Sequence, residues 1–163
     1  MDNIKNTTLF DIDKTLAKEL FCRCDYPWEV LPLIGDFIVK IGEELDEKIY
    51  KRLHDNIWIA KDAKIADSAS LNGPLIIDEG AQIRHGAFIR GNVIVGKGAV
   101  VGNSCELKNS ILFDNTEVPH YNYVGDSILG FHAHMGAGAI TSNIKSDRKN
   151  IYQFLSFRQC YCN

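Results

Sequence analysis

The sequence predicts an all-β chain, a single-stranded parallel β-helix built of hexapeptide repeats with an N-terminal helical segment. Three observations carry that prediction. Ten apolar residues stand six apart without a miss: Ile59, Ile65, Leu71, Ile77, Ile83, Ile89, Val95, Val101, Leu107 and Phe113. Two positions before each lies a second, mostly small register, which includes Ala63, Ala69, Ala81, Ala87, Ala99, Cys105 and Ile111. Glycine and asparagine, for example at Gly80, Gly86, Gly91, Asn92 and Gly98, punctuate the series where corners need φ > 0. A strict period of six fits neither a helix nor a lone strand. It fits short strands joined by tight turns into a triangular coil of about 18 residues.

Residues 1–56 lack the hexad and form an N-terminal helical cap. Leu16, Leu20 and Phe21, then Val30, Leu33, Ile34, Phe37, Ile38 and Ile41, have helical spacing. Pro27 suits a first helical turn after Asp25, a helix is expected to run to about Glu44, and a third short helix is expected over Glu47 to Leu53. Such a segment would cover the open end of the solenoid. Within it, Phe10 to Leu16 matches the DxDxT signature of haloacid-dehalogenase-type phosphatases. That chemistry needs a doubly wound parallel sheet, for which the rest of the chain leaves no room. The plain reading is an acidic helix start, with Asp11 or Asp13 as its cap.

The solenoid spans 57–149, and 150–163 is a tail without the hexad. After Phe113 the pattern breaks and resumes out of phase at Leu129 and Met135, so Val118 to Asp126 is expected to leave the coil as a protruding loop.

Composition narrows the function. A net charge of −3 speaks against a general nucleic-acid binder. No apolar run approaches the ~20 residues of a membrane span, and no signal-peptide pattern is present, so the expected location is the cytoplasm. Cys22, Cys24, Cys105, Cys160 and Cys162 are expected to be reduced, and the Cys-x-Cys spacing is too tight for an ordinary zinc site.

The chemistry-bearing stretch is Val118-Pro119-His120-Tyr121-Asn122-Tyr123-Val124-Gly125-Asp126, followed by Gly136-Ala137-Gly138-Ala139-Ile140-Thr141-Ser142-Asn143. Arg90 and Lys108 stand 18 residues apart, one full coil. They are expected to stack on one face about 4.8 Å apart, where two cations repel unless an anion bridges them.

These blocks resemble the acetyltransferase half of bifunctional N-acetylglucosamine-1-phosphate uridyltransferase/glucosamine-1-phosphate acetyltransferases and the related domains of sugar nucleotidyltransferases. The resemblance implies a left-handed β-helix that packs as a homotrimer with sites between subunits. It places His120 on the family's catalytic base, Tyr123 on a sugar-binding tyrosine, Arg90 and Lys108 on sugar and phosphate ligands, and Asn143 and Lys149 on further sugar contacts. Acetyl-CoA would be the co-substrate and an amino-sugar 1-phosphate the acceptor, with no metal. Histidine suits the task because the sugar ammonium must lose a proton before its nitrogen attacks a thioester. Glu106 or Asp126 is expected to orient the ring. His134 falls where the family carries an asparagine, and it is an auxiliary candidate.

In the family, further coils follow the lysine matched by Lys149, and a preceding nucleotidyltransferase domain of roughly 200 residues is required for uridyl transfer. The second expectation is therefore a non-catalytic sugar-phosphate-binding or assembly solenoid. A γ-carbonic-anhydrase reading from His85 and His120 fails because the third position holds Gly125.

Overall fold

The computed structural model describes residues 4–141. Four helices come first: α1 (Asn6–Leu9), α2 (Lys18–Arg23), α3 (Pro27–Val30) and α4 (Ile34–Gly42). Twelve strands follow: β1 (Tyr50–Leu53), β2 (Ile57–Ala60), β3 (Lys64–Ile65), β4 (Ser70–Leu71), β5 (Leu75–Ile77), β6 (Gln82–Ile83), β7 (Phe88–Ile89), β8 (Val93–Val95), β9 (Val100–Asn103), β10 (Glu106–Leu112), β11 (Glu117–His120) and β12 (Tyr123–Leu129). From β2 onward they wind as a parallel β-solenoid with three walls. Wall one holds β2, β5, β8 and the second halves of β10 and β12. Wall two holds β3, β6, β9 and β11. Wall three holds β4, β7 and the first halves of β10 and β12.

The hexad fills the interior as its period requires: Ile59, Ile77, Ile83, Ile89, Val95, Val101 and Leu107 are all buried in one core with Ala81, Ala87, Ala99 and Cys105. The period then shortens. Ile57 pairs with Leu75 and Leu75 with Val93, but Val93 pairs with Ser110 and Ser110 with Ser127. One residue is lost at the corner, because the three positions Arg90-Gly91-Asn92 become the two positions Lys108-Asn109. Two expectations are corrected as a result. The chain from Val118 to Asp126 does not leave the coil; it forms β11 and the start of β12 in register with β9 and β10. Leu112, not Phe113, points inward, and Phe113 and Ile111 face out into a second core.

That second core explains the helical segment. Ala17, Leu20, Phe21, Val30, Ile34, Phe37 and Ile38 pack on the outer face of wall one, against Trp58, Ile76, Ile94, Ile111 and Phe113. Fully burying each such side chain stabilises by roughly 1.5–3 kcal/mol, so an uncovered wall one would be costly. The helices thus cover a side wall rather than the open end of the coil. Gly42 lets α4 lie against the wall, since a Cβ there would come within 2.5 Å of the Trp58 ring. Pro27 does open α3, and the Glu29 carboxylate accepts the Tyr26 and Asp25 N–H groups at 3.0 and 2.9 Å.

The expected helix over Glu47 to Leu53 is instead the strand β1, paired antiparallel to β2. Asp55 and Asn56 turn the chain at φ 56° and 57°, a conformation these two residue types tolerate. Edge pairing with β2 then outweighs the local helical preference. Neither aspartate of the DxDxT match caps a helix: α2 starts after Ala17, Asp11 accepts the Asp13 N–H at 3.3 Å, and Asp13 pairs with Lys18. No described helix is long and apolar enough to cross a membrane.

Candidate functional site

Wall three carries the charged residues singled out above. Arg90 and Lys108 follow the Cα-paired Ile89 and Leu107, so they stack on adjacent coils as their spacing implies. The expected repulsion is relieved within the chain. Arg90 Nη1 donates to Glu106 Oε1 at 2.8 Å, and Lys108 Nζ to Asp126 Oδ2 at 3.3 Å. Asn109 Nδ2 adds a bond to Asp126 Oδ1 at 2.8 Å. The hydrogen bond that Arg90 donates to Glu106 raises the Arg90 pKa above its already high value, so the guanidinium stays charged. The Arg90–Glu106 pair is solvent-facing, and such pairs contribute about 0–1 kcal/mol, whereas the Lys108–Asp126 pair is partly buried.

Tyr123 is the Cα partner of Glu106 on the same wall. Its ring folds back along the strand over Gly125, where a Cβ would lie 2.5 Å from the phenol oxygen. The glycine in the Tyr-Val-Gly-Asp block therefore leaves the space that the tyrosine ring occupies. Thr141 Oγ1 accepts the Gly125 N–H at 2.8 Å and ties this strand to the next coil.

His120 ends β11 on wall two and is exposed, one corner before Tyr123. That corner is Tyr121-Asn122, with Tyr121 at φ 51°. Among the described residues the His120 ring makes no hydrogen bond, which leaves its nitrogens open to a ligand. Neither proposed orienting carboxylate reaches it: Glu106 is held by Arg90, and Asp126 by Lys108 and Asn109. The backbone of His120 is fixed on both sides, its N–H by Asn122 Oδ1 at 3.0 Å and its carbonyl by the Gly138 N–H at 3.0 Å.

His134 stands one coil further along wall two, bridged to Glu117, and its Nδ1 lies 2.9 Å from Glu117 Oε2. It is thus oriented by its own carboxylate, three positions back along the wall from His120. Asn143 and Lys149, with Cys160 and Cys162, lie outside the described residues. The Gly136-Ala137-Gly138 segment is a smooth corner directly above His120. Among the described residues nothing lies within 4 Å of a Cβ built at Gly136 or Gly138.

Sequence reading missed Asn109 and Asn122. The signal was there for Asn122, an amide standing in the column that otherwise holds Ala69, Ala87, Cys105 and Ala139. Cys105, directly beneath it, is buried, and desolvation raises its thiol pKa, so it acts as a small hydrophobe.

The fold is that of an acetyltransferase-type solenoid domain. Comparison with known proteins agrees. The family model of the GMPPB C-terminal domain matches residues 71–151. The bifunctional protein GlmU of Methanococcus maripaludis strain DSM 14266 is 38% identical over 144 residues, 77% of this chain and 31% of that protein. The bifunctional sugar-1-phosphate nucleotidylyltransferase/acetyltransferase of Sulfurisphaera tokodaii is 35% identical over 48 residues, 29% of this chain and 12% of that protein. The chain therefore spans about a third or less of the length of these curated relatives. Among solved structures, the acetyltransferase domain of PglB from Neisseria gonorrhoeae FA1090, in complex with acetyl coenzyme A, superposes with a TM-score of 0.51 at 20% identity, covering 53% of this chain and 43% of that one. The resemblance read from the sequence holds: this chain is similar to GlmU-type acetyltransferase domains.

Proposed function

We propose that this solenoid transfers the acetyl group of acetyl-CoA to the amine of an amino-sugar 1-phosphate, as part of a homotrimer with sites between subunits. The observation that carries the reading is the exposed His120 ring, free of partners among the described residues, one corner from Tyr123 and the Arg90/Lys108 ledge. In this reading Arg90 and Lys108 exchange Glu106 and Asp126 for the sugar phosphate, and Tyr123 packs on the sugar. His120 takes a proton from the sugar ammonium. The freed nitrogen lone pair attacks the thioester carbonyl, a C–N bond forms, and the C–S bond breaks to release the CoA thiol. The glycine-bearing corner at Gly136 to Gly138 offers the acyl chain a path beside His120. A relative described as a sugar-1-phosphate nucleotidylyltransferase/acetyltransferase supports the same chemistry, and a structural neighbour with acetyl coenzyme A bound shares the fold.

The test is thiol release from acetyl-CoA by the full chain, with glucosamine-1-phosphate and galactosamine-1-phosphate as acceptors. His120→Ala should lower turnover on the order of 10²-fold, as expected for loss of a general base. An unchanged rate would remove His120 from the chemistry. The self-neutralised ledge favours a second reading, a sugar-phosphate-binding solenoid without turnover. Calorimetry distinguishes the two: a binder takes up the sugar phosphate and ignores acetyl-CoA.

A further inference from the structure

Asn122 occupies a place in the coil interior that is otherwise given to small residues. Backbone bonds align Ala69, Ala87, Cys105, Asn122 and Ala139 in one column, as each residue that follows a column member donates to the carbonyl of the member one coil on. An amide buried there, 3% exposed, carries four hydrogen-bonding valences that would be costly to leave unmet. Its Nδ2 donates to the Gly136 and Ala139 carbonyls of the next coil at 2.7 and 3.2 Å. Its Oδ1 accepts the His120 backbone N–H at 3.0 Å and also faces the Cys105 thiol at 3.6 Å.

The corner itself shows what this side chain replaces. The equivalent corners close with a backbone bond three residues back: Ala69 to Ala66, Ala87 to Arg84, Cys105 to Gly102 and Ala139 to Gly136, at 2.9–3.4 Å. Among the described residues the corner from Pro119 to Asn122 makes no such bond, and the Asn122 N–H instead meets Cys105 Sγ at 3.4 Å. Pro119 also brings no N–H to the ladder. The His120 corner therefore lacks two of the backbone ties its neighbours have, and one buried amide spans the gap.

We propose that Asn122 is the positioning residue for His120: it fixes the backbone that aims the imidazole and couples that backbone to the open Gly136–Gly138 corner. The inference rests on the reading of His120 as the base, and the test separates the two. Thr116 supplies the control. It is another buried polar residue whose Oγ1 reaches a carbonyl of the next coil, that of Gly130 at 3.0 Å, but it does not touch His120.

The experiment measures amide hydrogen exchange and acetyl transfer in the full chain for Asn122→Ala, Asn122→Asp and Thr116→Ala. Alanine is the native residue at three other positions of the column, so Asn122→Ala is expected to fold, and Asn122→Asp keeps the acceptor for the His120 N–H if it does not. The expected result is at least a tenfold loss of protection at the His120 amide in Asn122→Ala, with Val118 and Val124 unchanged. Turnover should fall about tenfold with KM for the sugar phosphate held within twofold, and Asn122→Asp should restore part of both. Thr116→Ala should leave the His120 amide and turnover unchanged. Full protection at His120 in Asn122→Ala, or equal losses in Thr116→Ala, overturns the proposal. If the wild-type chain transfers no acetyl group, the functional reading fails, and the exchange data alone decide the role of Asn122.

Discussion

The early turns of the solenoid and the turn that carries His120 are lined differently. In the early turns the inward positions two before the hexad hold Ile57, Leu75 and Val93 at one corner, Ala63, Ala81 and Ala99 at the second, and Ala69, Ala87 and Cys105 at the third. In the next turn the same three columns hold Ser110, Thr116 and Asn122, all buried. Each reaches a carbonyl of the following coil: Ser110 that of Val124 at 3.2 Å, Thr116 that of Gly130 at 3.0 Å, and Asn122 that of Gly136 at 2.7 Å. The change falls where the repeat shortens and where Pro119 interrupts the ladder. In the early turns these inward columns contribute packing, beside the backbone ladder and outward ties such as the Gly80 N–H to Asp62 Oδ1 and the Gly86 N–H to Ser68 Oγ. The next turn adds side-chain ties between coils where the backbone pattern is weakest, and of these the tie from Asn122 is the one that reaches His120.

The outer face of wall one shows a matching contrast. Asp78 and Phe113 occupy the same outward column, because Asp78 follows Ile77 and Phe113 follows Leu112 in paired positions. Asp78 accepts a short hydrogen bond from the Tyr50 hydroxyl. Phe113 packs edge-on to Phe21 at 5.2 Å and tilted on Phe10 at 5.3 Å. The largest effect expected in this region comes from Phe113→Ala, which should cost about 3–5 kcal/mol in urea denaturation. A double-mutant cycle with Phe21→Ala should give a coupling of roughly 0.5–1.5 kcal/mol beyond burial. If Phe113 faced the solenoid interior, as an uninterrupted hexad would have it, that coupling would vanish.

This position also shows how far the sequence could be read. The period of six identified the solenoid, its corners and the wall that bears Arg90 and Lys108, because a branched residue must face inward at every wall. It misplaced Phe113 because Ile111-Leu112-Phe113 is apolar throughout. Wall one is buried on both faces, so alternation disappears there and a one-residue slip leaves no trace. The same slip made residues 118–126 look extruded, when only the corner at Lys108-Asn109 had shortened. Ion pairing was invisible for a different reason. Glu106 and Asp126 meet Arg90 and Lys108 across coils, and the spacing that stacked the cations did not announce that each meets a carboxylate of the next coil. For His120, the motif carried the residue while the support from Asn122 needed the register to be known.

The contrast in the interior can be tested more gently. Thr116→Val keeps shape and burial but removes the tie to Gly130, and should cost about 0.5–1.5 kcal/mol, the usual net worth of one hydrogen bond. The opposite change in an early turn, Ala99→Thr in the same column, should not be stabilising, since that turn already closes by packing. Equal stability of Thr116→Val and wild type would mean that the polar lining of the later turn does not bind coil to coil.

The smallest effect lies at Asp78, and its signature is pH. Burial pushes the Asp78 carboxyl above the ordinary carboxylate range, and the Tyr50 hydroxyl and the Glu79 N–H only partly oppose this. Among the described residues its buried Oδ2 has no hydrogen-bond partner. An acid whose folded pKa exceeds its unfolded one binds its proton more tightly in the folded state. Its contribution therefore favours folding at low pH and is lost as pH rises from the unfolded value, about 4, through the elevated folded value, beyond which it levels off. Asp78→Asn cannot titrate, so thermal denaturation across that window should show wild type losing stability relative to the variant as pH rises. Phe113→Ala, in the same outward column two coils away, should lose a constant amount over the same range. Parallel curves for wild type and Asp78→Asn would mean that Asp78 stays ionised in the fold, and the pairing of β1 to the solenoid through Tyr50 would then rest on a charged acceptor.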